Sequence, residues 1–166
     1  LLLNYDQIAQ STQVTYLIGM VLMIGPAGYL MDRLGAVRST GLSFAMLVLY
    51  PLGLLASGDE RTLAIVSFIY GLSHAGTSVG WMLGPVALAP TPAKVPQYVA
   101  IHATFVGIRG KIFQGLGVLV YSLTHSFVVP FILAALAFAW SAVQMWQLNR
   151  LMNQPRERTQ PPVEES

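Results

Sequence analysis

Apolar residues run in five long blocks along this chain, at 14–31, 37–57, 63–89, 98–123 and 127–148, with short polar breaks between them. About 20 mainly apolar residues carry an α-helix across the hydrocarbon core of a bilayer, so each block predicts a transmembrane helix. The breaks are a charged turn around residue 34, Gly58-Asp59-Glu60-Arg61, a stretch at 90–97 with three prolines, and Thr124-His125-Ser126. The pattern predicts an all-α, polytopic membrane bundle. Residues 1–13 read as the end of a preceding helix and an extracytoplasmic loop, and 14–148 as the five-helix bundle. Residues 149–166, polar and bearing Pro-Pro, read as a disordered cytoplasmic tail. The opening Leu1-Leu2-Leu3 lacks an initiator Met and a basic leader, so it reads as the stub of an earlier span rather than a signal peptide.

The second and fifth blocks are nearly pure hydrocarbon away from their ends, whereas the third and fourth carry most of the polar side chains. Polar groups are costly in lipid, so those two helices are expected to face the bundle interior or water. In the third block Tyr70, His74, Thr77 and Trp81 recur at i, i+4, i+7 and i+11, which places them on one helical face. Two readings stand for that face: the lining of a solute cavity, with His74 foremost, or a polar seam satisfied by neighbouring helices. Beside it Gly76, Gly80 and Gly84 repeat every four residues, a spacing that lets helix backbones approach closely.

The fourth block holds Arg109 and Lys111. Starting the helix after Lys111 would leave residues 112–123, too few to cross the core, so both cations lie near the middle of a span. Each costs about 2.5–3.5 kcal/mol there on insertion scales, which argues for a role. At 100° per residue the two point to opposite sides of the helix. His102 shares the face of Arg109, and Gln114 shares that of Lys111. Arg109 can grip a carboxylate, sulfonate or phosphate with its planar fork. It can equally pair with an acid on a helix outside these blocks, because the only nearby carboxylate, Asp32, sits at a helix end. His74 and His102 titrate near neutrality in water, which keeps a coupling proton among the candidates.

Composition narrows the partners. Apolar residues are 54% and charged residues 10% of the chain, against about 25% charged in soluble domains, and mean hydropathy is +0.59. The solvent is a bilayer. There is no cysteine, so no disulfide and no thiolate metal site, and neither a cofactor nor a metal is expected. The net charge of +2 is small and clusters beside the spans, which speaks against nucleic acid. Arg33, Arg38, Lys94, Arg150, Arg156 and Arg158 fall on one side and Arg61 on the other. By the excess of Lys and Arg in cytoplasmic loops, the first hairpin and the C-terminus are predicted to be cytoplasmic, in a plasma or inner membrane.

The hairpin Gly28-Tyr29-Leu30-Met31-Asp32-Arg33-Leu34-Gly35-Ala36-Val37-Arg38 resembles the cytoplasmic hairpin signature of the major facilitator superfamily. Gly28, Asp32, Arg33, Gly35 and Arg38 match that pattern, and Val37 departs from it where a second basic residue is often found. The resemblance implies half of a twelve-helix transporter, and the five spans with a following cytoplasmic end fit its C-terminal half, helices eight to twelve. It implies that Asp32, Arg33 and Arg38 latch two rigid halves, and that the missing N-terminal half completes the cavity. The function expected is secondary active transport, as symporter or antiporter, of a small, anionic organic solute by alternating access. Arg109, His74, Trp81, His102, Tyr70, Thr77, Lys111 and Gln114 are the candidate solute-binding residues. The alternatives are a transport-inactive receptor or assembly subunit on the same fold and, more remotely, an intramembrane serine hydrolase built on Ser73 with His102. That last reading lacks an oxyanion site, and His74 stands where such enzymes carry glycine after the serine.

Overall fold

A computed structural model describes residues 5–153. Five helices long and apolar enough to cross a membrane run over Thr12–Leu34, Ala36–Ala56, Glu60–Leu88, Pro92–Thr124 and Val128–Met152. They are built from α1 (Tyr5–Ala9), α2 (Thr15–Leu34), α3 (Ala36–Leu47), α4 (Leu49–Ala56), α5 (Glu60–Leu88), α6 (Val95–Thr124) and α7 (Val128–Met152).

The first correction lies at the start. Residues 5–13, expected to include a loop, are helical: α1 passes through a wide π-type turn at Gln10–Val14 into α2. No proline or glycine interrupts residues 5–14. The Thr12 hydroxyl donates to the Ile8 carbonyl at 2.6 Å, so a polar side chain is accommodated without breaking the helix. Leu1 to Leu3 and the tail beyond 153 lie outside the described residues, and the helix of α7 reaches Met152, past the expected boundary at 148.

Breaks between elements follow local chemistry. Gly35 joins α2 to α3 as a single residue at φ +83°, ψ 153°, a region that side chains avoid. Its N–H still donates to Met31 O at 2.9 Å, and the Ser39 hydroxyl crosses the hairpin to Leu30 O at 3.0 Å. The second span is split at Val48, because Pro51 has no N–H for the Leu47 carbonyl. Asp59 caps α5, accepting from Thr62 N–H at 2.7 Å while the Thr62 hydroxyl accepts from the Asp59 N–H. Pro96 sits in the first turn of α6, where no intrahelical donor is needed. At its far end His125 turns left-handed at φ 49°.

The bundle is organised around α5, which packs on α2, α3, α4 and α6, while α7 packs on α3 and α4. Backbones of α2 and α5 meet at Gly19 and Gly71: a Cβ on Gly71 would strike the Tyr16 carbonyl, and one on Gly19 the Phe68 carbonyl. On the α3 side Gly76 faces Ser43 and Gly80 faces Thr40, so two members of the glycine stripe seat a neighbouring helix. Gly84 is different, with no neighbouring atom within 4 Å of where a Cβ would stand. The fourth span, expected to face the bundle interior or water, lines cavities and is not packed into the bundle among the described residues. No residue of α6 is buried, whereas α5 buries nine. Many large side chains of α6 and α7 face outward, Val118, Leu123, Leu136 and Trp140 among them, as lipid-facing or partner-facing helices require.

Candidate functional site

The face predicted from helical spacing in α5 forms a chain of ring contacts. Tyr70 stacks on Tyr50 of α4 at 4.2 Å and on Tyr16 of α2 at 5.1 Å between centroids. His74 lies 5.4 Å from Tyr70, and its Nδ1 is hydrogen-bonded with the Tyr16 hydroxyl at 3.0 Å. Trp81 meets the His74 ring edge-on at 6.1 Å. At the end of this chain the Arg109 guanidinium of α6 sits 5.4 Å from the Trp81 ring centroid. A cation over an indole face is attracted by the ring quadrupole, so Trp81 gives Arg109 a resting place without a carboxylate.

Two cavities meet at that pair. One, of about 340 Å³, opens toward the hairpin end of the bundle and is walled by Thr40, Pro85, Leu88, Ile101, His102 and Phe105 among others. The second, of about 320 Å³, is walled by Tyr70, His74, Thr77, Phe113, Phe138 and Ser141 among others. Phe44, Trp81 and Arg109 belong to the walls of both. Pro85 cannot donate to the carbonyl of Trp81 four residues earlier, which loosens α5 beside the shared wall.

The candidate residues divide accordingly. Tyr70, His74, Thr77, Trp81 and Arg109 share one cavity, and His102 joins Trp81 and Arg109 in the other. Thr77 is fully buried and its hydroxyl is spent on the His74 carbonyl at 3.0 Å, so it shapes the wall rather than offering a donor. His102 Nε2 is buried and has no hydrogen-bond partner among the described residues. Lys111 and Gln114 are exposed and line neither cavity, as the half-turn between residues 109 and 111 requires. Ser73 is buried with its hydroxyl donating to Ile69 O at 2.8 Å, and it too lines neither. No cluster of three or more His, Asp or Glu side chains suited to a metal occurs among the described residues.

The sequence matches the family model of the Major Facilitator Superfamily over residues 3–166. The chain belongs to the major facilitator superfamily. No curated protein and no solved structure matches it. As a member of this superfamily it is a multi-pass membrane transporter, and the all-helical bundle agrees with that fold.

The superfamily's hairpin residues take these positions. Asp32 is exposed in the last turn of α2 and does not cap α3, which has no side-chain cap. Arg33 folds back over the Tyr29 ring at 5.0 Å. Arg38 lines a small recess with Leu34, Trp146 and Asn149, where α3 meets α7. Gly28 leaves open space beside α2, with no atom within 4 Å of a built Cβ.

Several site residues escape sequence reasoning. Tyr16, Tyr50 and Phe44 come from three other helices, and no spacing within one helix points to them. A tyrosine hydroxyl inside an apolar block, as at Tyr16, was the available signal, because a buried phenol needs a partner.

Proposed function

We propose that this transporter is a secondary active carrier of a small organic anion, with Arg109 holding the negative charge and the Tyr70, His74, Trp81 and His102 side chains lining its path. The carrying observation is the Arg109 guanidinium resting on Trp81 where two cavities meet, a cation stabilised by a ring and not by an acid. A carboxylate can displace the ring and gain paired, charge-assisted hydrogen bonds. These helices form one half of the carrier, the C-terminal half, and work against a second half by alternating access. The hairpin faces the cytoplasm of a plasma membrane, where Asp32, Arg33 and Arg38 latch the two halves. A proton or another ion drives the cycle.

A second reading comes from Lys111 and Gln114. They lie on a face of α6 that no described residue covers, so the second half can meet them there, and Lys111 becomes the anion's partner in place of Arg109. Uptake of anionic, neutral and cationic solutes by the full-length carrier separates the two. Charge-assisted hydrogen bonds are worth about 1.5–3 kcal/mol, so Arg109→Gln is expected to weaken anion transport by about 10- to 150-fold at matched expression. Loss in Lys111→Gln alone transfers the role to Lys111. Carriage of a neutral or cationic solute, unaffected by either change, ends the anion reading. Partner binding without flux of any solute favours a receptor on the same fold.

A further inference from the structure

We infer that the solute is an amphiphilic monoanion, a single carboxylate or sulfonate on a compact apolar body with a hydrogen-bonding group at its far end. The inference rests on Arg109 being the anion's partner and names the kind of anion.

The cavity at the hairpin end sets the chemistry. Its walls are hydrocarbon and aromatic over most of their extent: Ile101 and Phe105 from α6, Pro85 and Leu88 from α5, Met145 and Leu148 from α7. One lining residue carries a full charge, Arg109. A dianion would bring a second negative charge that no other lining residue among those described can meet. A polyol or sugar acid would bring several hydroxyls to walls whose polar side chains are few, Tyr98, Trp81 and His102 beside Arg109. Thr40 adds little, because its hydroxyl already donates to the Ala36 carbonyl at 2.7 Å. An apolar body suits this lining.

The far end is marked by His102. Its Nε2 is buried in a wall of this cavity and lacks a partner among the described residues, which is costly unless something meets it. His102 and Arg109 stand seven residues apart on one face of α6, about 10.5 Å along the axis. With both side chains reaching inward, the gap between their polar ends fits one ring or a short chain. At about 340 Å³ the part of the cavity walled by this half of the carrier lies within the range for small-molecule sites, about 300–1,000 Å³. The solute's charge is held at Arg109, its body stacks against Trp81 and Phe105, and its second polar group meets His102.

Trp81 supplies the test. In the full-length carrier with Trp140→Phe and Trp146→Phe, the remaining indole of this chain lies against the Arg109 guanidinium. Any tryptophan elsewhere in the carrier is replaced by Phe as well. Fluorescence is titrated with 4-hydroxyphenylacetate, phenylacetate, acetate, succinate and the neutral 4-hydroxyphenylacetamide. The expected order is 4-hydroxyphenylacetate tightest, phenylacetate next, and acetate and succinate at least tenfold weaker. Arg109→Gln should weaken both aryl acids at least tenfold, with Arg109→Lys in between. His102→Phe should erase the advantage of the ring hydroxyl and leave phenylacetate unchanged. If acetate or succinate binds as tightly as the aryl acids and is lost in Arg109→Gln, the anion site stands and the amphiphile inference falls. If the aryl acids bind equally well to Arg109→Gln, the anion site itself falls. An equal response to the neutral amide, or none to the aryl acids, also overturns the inference.

Discussion

Helices α5 and α6 have almost the same length, 29 and 30 residues, and both carry polar side chains through an apolar block, yet they are used in opposite ways. In α5 the small polar groups lie inside the packing, and one of them, the buried Ser67 hydroxyl, finds no partner among the described residues. Ser73 and Thr77 donate to carbonyls of their own helix, and Gly71, Gly76 and Gly80 let α2 and α3 press against it. In α6 no residue is buried, and Gly107, Gly110, Gly115 and Gly117 meet no neighbour. Its cations are left to a cavity on one side and to an uncovered face on the other. A shared excess of polar residues therefore does not mean a shared role. What separates the helices is burial: α5 is packed against its neighbours along its length, and α6 is not.

The sharpest break of that comparison is steric. Gly71→Leu places a side chain against the α2 backbone, and overpacking of this kind costs about 1–3 kcal/mol or more. It is expected to lower the thermal midpoint in detergent and the yield of monodisperse protein. The same change at Gly107 is expected to do neither, because nothing stands within 4 Å. Equal damage at both sites would mean that α6 is packed as tightly as α5. The next contrast is functional: Lys111→Gln is expected to leave anion uptake within about twofold of wild type, measured beside the large loss in Arg109→Gln.

Smaller effects test the aromatic chain and the cap. Tyr16→Phe keeps the ring stack but removes the hydroxyl bonded with His74, so a loss of about 0.5–1.5 kcal/mol is expected by thermal or denaturant unfolding. An unchanged stability would show that His74 finds another partner. At the start of α5, the backbone N–H and then the side chain of Thr62 hold the Asp59 carboxyl below the ordinary carboxylate value of 3.8. A depressed pKa means that the charged cap stabilises the folded state fully above about pH 4. That contribution disappears as pH falls below 3.8 through the lowered value. Hydrogen exchange at the first turn of α5 should therefore speed up in Asp59→Ala at neutral pH, and the mutant should lose the acid dependence seen in wild type.

Much of the fold was legible because bilayer spans are long and unambiguous in composition. The five blocks and the shared face of Tyr70, His74, Thr77 and Trp81 follow from period and hydropathy, whereas the charged turn read between residues 31 and 37 proves to be Gly35 alone. The opposed directions of Arg109 and Lys111 follow from 100° per residue alone. Contacts between helices were less accessible. The Gly19–Gly71 crossing joins residues that share no local spacing, and the continuity of residues 5–14 with α2 is hidden by their polarity. The Asp59 cap was available from Asp followed three residues later by Thr, a short signal inside a charged turn.

The most direct test of the central claim, that α6 carries the solute-facing side chains over an α5 scaffold, is cysteine accessibility, for which this chain starts with no cysteine of its own. Any cysteine elsewhere in the carrier is first replaced by serine. Single cysteines at Phe105 and Phe113 of α6, and at Ser67 and Ser73 of α5, are then treated with a charged thiol reagent in the full-length carrier, with and without the transported anion. The account predicts labelling at Phe105 and Phe113, slowed by the anion, and little at Ser67 and Ser73. Equal labelling on both helices, or α6 sites that ignore the anion, would contradict it.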